Sequence, residues 1–145
     1  MAGISLQMID KSVSSHWWRE VVKYFLRLGD PLEIRCWKEE EDEVQQASKY
    51  GTPAAENYEV SVKGIVTAEF LEEILSDEPT DKSLYNKMIK YFTINVERGP
   101  LRFCSAHYGT ELYIDGATEK DVSFFHRVMA PYEDDEYFSI HYNEG

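Results

Sequence analysis

The chain has 145 residues, of which 43% are hydrophobic and 14% aromatic, and its formal net charge at pH 7 is −12. This length is typical of one domain with a sizeable hydrophobic core, and the abundance of aromatic residues excludes a disordered acidic tail. The negative charge disfavours direct binding to nucleic acid or to an anionic membrane, because both are polyanions. We therefore predict a single domain across residues 1–145 whose partners are basic.

The amino-terminal segment is predicted to be a strand rather than an export signal. Ile4, Leu6 and Met8 alternate with polar side chains over residues 3–9, whereas a signal peptide has a continuous apolar region. Cys36 and Cys104 lack the spacing of a CxxC motif, which favours two reduced thiols, with a disulfide between neighbouring strands as the alternative. No apolar run approaches the roughly 20 residues needed to cross a bilayer. We expect a cytoplasmic protein that binds no membrane.

Residues 16–28 have the clearest helical pattern in the chain. Gly29 and Pro31 are typical of residues that end a helix. Adjacent helical residues point in different directions, so we expect Trp18 in the core and Trp17 at the border of the apolar stripe. That stripe consists of Trp18, Val21, Val22, Phe25 and Leu28.

Two strands are predicted next, with a short helix and a loop between them. Residues 32–38 and 58–66 alternate between apolar and polar side chains, which is typical of half-buried strands. Five consecutive acids occupy residues 39–43, and residues 44–50 are predicted to be helical. The Gly51-Thr52-Pro53 sequence favours a loop.

Residues 67–81 are predicted to begin with an amphipathic helix. Thr67 is a suitable N-cap and Pro79 a suitable stop. The apolar stripe of this helix contains Phe70, Leu71, Ile74 and Leu75. The opposite face is expected to be exposed and acidic, with Glu69, Glu72, Glu73, Asp77, Glu78 and Asp81.

The second half of the chain is predicted to be rich in strands. A short helix over residues 81–89 precedes strands over residues 92–96, 101–107 and 111–114, the last two joined by a hairpin at Tyr108-Gly109-Thr110. Thr118 and Asp121 have the spacing of a capping box, Pro131 ends that helix, and a strand follows over residues 138–142.

Together these elements predict an α+β fold. We expect one mainly antiparallel sheet of about six to seven strands, with about three to four helices packed mostly on one face. The alternative is a mixed sheet, in which the first helix forms a right-handed crossover between two strands.

No motif in the sequence indicates a reaction. Cys104 and His107 are three positions apart on a predicted strand and therefore point to opposite faces. The four histidines are scattered, and the acidic runs lack the spacing of a calcium loop. Stacking of nucleic-acid bases on Arg35, Trp37 and Tyr91 is opposed by the net charge. We predict no catalytic, metal-binding or cofactor-binding residues, although a small enzyme or ligand-binding domain with a hidden pocket is the alternative.

The charge is concentrated in three acidic clusters: residues 39–43, 69–81 and 133–136. With the adjacent Lys38 they hold 15 acids and one base, whereas the rest of the chain holds 12 acids and 14 bases. Charge placed only for solubility is more evenly spread. If the clusters converge, they form a negative face that steers a basic partner.

The sequence therefore favours a small acidic inhibitor that binds a basic protein. The biological type that fits best is an immunity or antitoxin-like protein that neutralises a nuclease toxin, because a nuclease site must be basic to hold phosphates. A phage-type mimic of nucleic acid is the related alternative. The predicted partner-binding residues are Trp37, Glu39, Glu40, Glu41, Asp42, Glu43, Glu69, Glu72, Glu73, Asp77, Glu78, Glu133, Asp134, Asp135, Glu136 and Tyr137.

Overall fold

The computed structural model describes residues 1–76, 87–132 and 136–144. Its eight strands form one sheet in the order β3-β4-β2-β5-β6-β7-β1-β8. They are β1 (Ala2–Met8), β2 (Pro31–Trp37), β3 (Gly51–Glu56), β4 (Glu59–Ile65), β5 (Thr93–Arg98), β6 (Leu101–Ala106), β7 (Glu111–Ala117) and β8 (Phe138–Glu144). The helices are α1 (His16–Phe25), α2 (Glu41–Ala47), α3 (Ala68–Ser76) and α4 (Glu119–Met129), with short 3-10 helices at Ser48–Tyr50 and Ala130–Tyr132.

The predicted α+β fold with an antiparallel sheet is confirmed, with slightly more strands than expected. Every pair of neighbouring strands is antiparallel, so the alternative of a mixed sheet is wrong. The strands β1 and β2 run in the same direction, but β7, β6 and β5 lie between them. None of the helices in the described ranges has the length and apolar character of a membrane-spanning segment.

One face of the sheet carries the hydrophobic core. Alternate residues of each inner strand point to this face, and cross-strand pairs such as Leu6–Leu112 and Ile34–Ile94 are fully buried. The helix α1 packs between α3 and α4 over this face. The opposite face carries mainly polar side chains, as the period of two in a half-buried strand requires.

Both adjacent tryptophans of α1 are buried, so the prediction that Trp17 lies at the border is wrong. Trp17 is 1% exposed and packs edge-on against Phe138 of β8, with ring centroids 5.2 Å apart. Trp18 is fully buried and donates from Nε1 to Ser105 Oγ at 3.0 Å. Because α1 packs on the sheet and has a helix on each side, more of its circumference is buried than the predicted apolar stripe covers.

The helix α1 also ends earlier than its pattern predicts. Leu26 already has the extended backbone angles φ −90° and ψ 132°. Leu28, placed in the apolar stripe by sequence, is 66% exposed. Gly29 has a φ of 90° and its N–H donates to Val66 O at 2.8 Å, so the turn directs the chain into β2.

The predicted loop at residues 51–53 is instead the start of β3. Every residue of β3 after Gly51 is exposed, so this edge strand has no apolar alternation that sequence could detect. Pro53 is tolerated because an edge strand has a free side. Gly51 lies opposite Gly64 of β4, and a Cβ on Gly64 would lie 1.9 Å from Tyr50 O. The two glycines therefore permit this close pairing.

The short helix predicted over residues 81–89 lies mostly outside the described residues. Its last part, residues 87–89, is described and is not helical.

The start of α4 is fixed by the predicted capping box. Thr118 Oγ1 accepts from Asp121 N at 3.1 Å, and Asp121 Oδ2 accepts from Thr118 N at 2.9 Å. We expect Thr118→Ala to lower the free energy of unfolding by about 1 kcal/mol, because one helical N–H loses its acceptor. Urea denaturation measures this change. Thr118→Ser, which keeps the hydroxyl, should retain nearly full stability, and equal losses in both variants would contradict the capping role.

Candidate functional site

Strand direction brings many of the acids to one end of the sheet. Because neighbours are antiparallel, β1, β2, β3 and β6 finish where β4, β5, β7 and β8 begin. We call this the acidic end. Among the described residues, its acids are Asp10, Glu39, Glu40, Glu41, Asp42, Glu43, Glu56, Glu59, Glu111 and Glu136, and its bases are Lys11, Arg35, Lys38, Lys87 and Lys90.

The other end of the sheet has balanced charge. Among the residues whose side chains are described, its bases are Arg27, Lys49, Lys63, Arg98, Arg102 and Lys120, and its acids are Asp30, Glu69, Glu97, Asp115 and Glu119. Two of these acids are paired: Arg98 Nη1 lies 2.7 Å from Asp30 Oδ2, and Arg102 Nε lies 3.6 Å from Glu97 Oε1. The excess negative charge is therefore concentrated at one end of the sheet. Such an uneven charge distribution can steer a basic partner towards that end.

The first and third acidic clusters share the acidic end but occupy different strands. Residues 39–43 follow β2, and Glu136 precedes β8, five strand positions away, or about 24 Å along the sheet. Glu39, Glu41, Asp42 and Glu136 are exposed, and Glu43 is half-buried. Glu133, Asp134 and Asp135 lie outside the described residues.

The second cluster divides between exposed and buried positions of α3. Glu69 and Glu72 are exposed, and Thr67 caps the helix by accepting from Phe70 N at 3.1 Å. Asp77, Glu78 and Asp81 lie outside the described residues.

Glu73 is buried, so the prediction that it lies on the exposed face is wrong. It is 8% exposed. Its Oε1 accepts from Tyr50 Oη at 2.8 Å and from Tyr91 Oη at 2.9 Å, and Lys90 Nζ lies 2.6 Å from Oε2. Burial, followed by the charge of Glu73, raises the pKa of Tyr91. Sequence pattern could not detect this, because three partners distant along the chain satisfy the carboxylate.

Glu40 is also held inside the protein rather than presented to a partner. Its side chain is 10% exposed, and its Oε2 lies 2.7 Å from Lys87 Nζ. Its Oε1 accepts from the backbone N–H of Trp37 at 3.0 Å, and Tyr108 Oη donates to Oε2 at 3.2 Å. Glu40 therefore joins β2 to the segment that precedes β5.

The two aromatic residues of the predicted site are partly buried. Trp37 packs against Phe92, with ring centroids 4.9 Å apart, and Tyr137 packs edge-on against Tyr132 at 6.4 Å. Tyr58, in the β3–β4 turn at the acidic end, is 77% exposed. The sequence pattern placed residue 58 at the start of a strand, whereas Tyr58 lies in the turn before β4.

Three acids surround Arg35, of which Glu56 and Glu59 belong to the acidic end and Glu33 lies further back along β2. Arg35 Nε lies 3.1 Å from Glu59 Oε1, and Arg35 Nη1 lies 2.7 Å from Glu56 Oε2 and 3.0 Å from Glu33 Oε2. The hydrogen bond to Glu56, followed by those to Glu59 and Glu33, raises the pKa of Arg35 despite partial burial. These acids are scattered along the sequence, so no linear cluster could reveal them.

The thiol of Cys36 lies beneath the first acidic cluster. Burial, and then the charges of Glu40 and Glu43, raises its pKa to about 12. Burial also raises the pKa of Cys104, which is half-buried on the polar face of the sheet. Neither thiol is therefore activated as a nucleophile.

The raised pKa of Cys36 predicts a specific pH dependence of stability. Because the folded state favours the protonated thiol, its contribution is complete below pH about 9, the ordinary pKa, and is lost as the pH rises towards 12. We expect Cys36→Ser to reduce the alkaline loss of unfolding free energy, measured by urea denaturation between pH about 8 and about 11. Cys104→Ser, at the other thiol whose pKa burial raises, should act in the same direction, and an identical pH profile in Cys36→Ser and the wild type would contradict the assignment to Cys36.

Comparisons with known proteins do not add a family to this description. Within the described ranges, no group of three or more His, Cys, Asp or Glu side chains is arranged to hold a metal ion. No protein-family model matches the chain, and neither curated proteins nor solved structures give a match.

Proposed function

We propose that this protein binds a basic protein through its acidic end. The observation that carries the proposal is the asymmetry of charge between the two ends of the sheet. An acidic surface attracts a basic partner during diffusion and orients it before contact, which raises the association rate.

The exposed acids of the first cluster supply the charge for this binding. Glu39, Glu41 and Asp42 are exposed and have no ion-pair partner among the residues described. Glu40 and Glu73 are excluded from the binding set, because each already accepts from groups within the fold. Tyr58 and Trp37 offer aromatic surface next to these acids, and such residues are enriched at interfaces.

The partner class that we infer is a nuclease, with this protein acting as an immunity or antitoxin-like inhibitor. A nuclease site presents Lys and Arg to the phosphates of its substrate. An acidic surface can cover that site and exclude nucleic acid.

The proposal is tested by titrating the protein into purified nuclease domains with a pI above about 9. We expect at least one nuclease to be inhibited, with an association rate that falls at least about tenfold between about 50 and 500 mM salt. Acidic proteins of similar size serve as control ligands. The proposal is wrong if no basic domain binds, or if the association rate is independent of salt.

A further inference from the structure

The hairpin formed by β3 and β4 closes one side of the sheet and brings its turn to a corner of the acidic end. Successive side chains of a strand point to opposite faces, yet residues 52–58 are all exposed. The described helices therefore cover neither face of β3. The turn at Asn57 and Tyr58 is accessible to a partner from both faces and from the edge of the sheet.

Tyr58 carries most of the apolar surface of this turn. It is 77% exposed, more than any other large hydrophobic side chain that the structure describes. Because so little of the ring is buried, it contributes little to the stability of the fold. Aromatic side chains are enriched among the residues that anchor protein interfaces.

The backbone that carries Tyr58 is fixed in place. Glu56 pairs with Glu59 across a two-residue turn, and Asn57 has a left-handed φ of 54°, which Asn tolerates well. The backbone N–H of Lys38 donates to Tyr58 O at 3.0 Å, which ties the turn to the end of β2. A partner that binds Tyr58 therefore does not have to order this backbone.

Carboxylates lie on both sides of Tyr58 in the chain. Arg35 Nη1 lies 2.7 Å from Glu56 Oε2, and Arg35 Nε lies 3.1 Å from Glu59 Oε1. The two acidic side chains remain 43% and 25% exposed. Acids outnumber bases around the turn: they are Glu33, Glu39, Glu56 and Glu59, against Arg35 and Lys38. The turn therefore presents an aromatic ring within a negative surface.

An aromatic ring between carboxylates has the chemistry of a base between phosphates. Proteins that bind single-stranded nucleic acid stack the bases on aromatic or Arg side chains and hold the phosphates with Lys and Arg. The Tyr58 ring offers the same kind of flat face as a base, and Glu56 and Glu59 supply negative charge beside it.

We infer that Tyr58 enters the substrate cleft of the nuclease partner and takes the place of a base, with Glu56 and Glu59 near the positions of the flanking phosphates. This inference rests on the proposed function and adds to it the residue that occupies the cleft. The charge of the acidic end raises the association rate, whereas the stacked ring of Tyr58 slows dissociation.

Binding kinetics with a catalytically inactive nuclease domain that binds the wild type test this inference. We expect Tyr58→Ala to raise the dissociation rate at least about tenfold and to change the association rate by no more than about twofold, because no charge is removed. Tyr58→Phe keeps the ring and should dissociate within about threefold of the wild type. Tyr58→Leu keeps apolar bulk without a stacking face and should dissociate nearly as fast as Tyr58→Ala.

Ile9→Ala is the control, because Ile9 is also apolar and 56% exposed at the acidic end but follows β1, far from β4 across the sheet. It should leave both rates unchanged. A short single-stranded oligonucleotide should compete with the wild type for the nuclease domain. The inference is overturned if Tyr58→Ala dissociates as slowly as the wild type, if Tyr58→Leu matches Tyr58→Phe, or if the oligonucleotide and this protein bind the domain together.

Charge reversal of Glu39, Glu41 and Asp42 separates failure of this inference from failure of the proposed function. If Tyr58→Ala leaves dissociation unchanged while the charge reversal slows association, the inference is wrong and the proposed function stands. If the charge reversal leaves association unchanged, both are wrong.

Discussion

Glu73→Ala should lower the free energy of unfolding by about 3 kcal/mol, because it removes a buried carboxylate with several partners. Tyr91 is 1% exposed, and its Oη would lose its acceptor. Lys90 would lose its counter-ion. The loss exceeds that of an exposed ion pair, since the groups left behind are largely shielded from water. Urea denaturation monitored by tryptophan fluorescence measures it.

Glu72 provides the matched control for this prediction. It precedes Glu73 in the same helix and is exposed, so Glu72→Ala should change the stability by no more than about 0.5 kcal/mol. Glu73→Gln keeps the shape of the side chain and should lose less than Glu73→Ala. Equal stability of Glu72→Ala and Glu73→Ala would show that the buried network contributes nothing.

Glu40→Ala should destabilise the protein by about 2–3 kcal/mol. Its carboxylate accepts from a backbone N–H and a tyrosine hydroxyl and pairs with Lys87, whose side chain is 12% exposed. The neighbouring exposed Glu39 is the control, and Glu39→Ala should be nearly neutral.

A double-mutant cycle separates the ion pair from the other contacts of Glu40. Lys87→Met combined with Glu40→Ala should cost less than the sum of the two single changes, because the double variant leaves no unpaired charge. Strictly additive losses would contradict a direct Glu40–Lys87 interaction.

Local sequence patterns were sufficient to predict most of the fold. Period-two alternation identified β1, β2, β4 and β8, and the Thr118–Asp121 spacing identified the start of α4. These signals are local, because each depends on residues within a few positions of one another.

Features determined by distant packing were not predictable from these patterns. Burial of Trp17 requires Phe138 from the last strand. The edge strand β3 is defined by its pairing with β4 and has an exposed sequence. Glu73 lies in the interior because Tyr50, Lys90 and Tyr91 surround it.

The candidate site was predictable only in part. The linear run of acids at residues 39–43 identified one component of the acidic end. Glu56, Glu59 and Glu111 reach the same end only because antiparallel pairing places the ends of their strands there. Glu40 and Glu73 were predicted to bind a partner on the basis of charge alone, whereas both accept hydrogen bonds from groups inside the fold.

The charge-reversed variant Glu39→Lys/Glu41→Lys/Asp42→Lys tests the proposed role of the acidic end most directly. Its control, Glu97→Lys/Asp115→Lys/Glu119→Lys, makes the same change in net charge at the other end of the sheet, where acids and bases are balanced. The measurement is the association rate with a basic nuclease domain that binds the wild type, at low salt. We predict that the first variant slows association at least about tenfold and the control changes it by no more than about twofold. Equal slowing by both variants, or none by the first, would contradict binding through the acidic end.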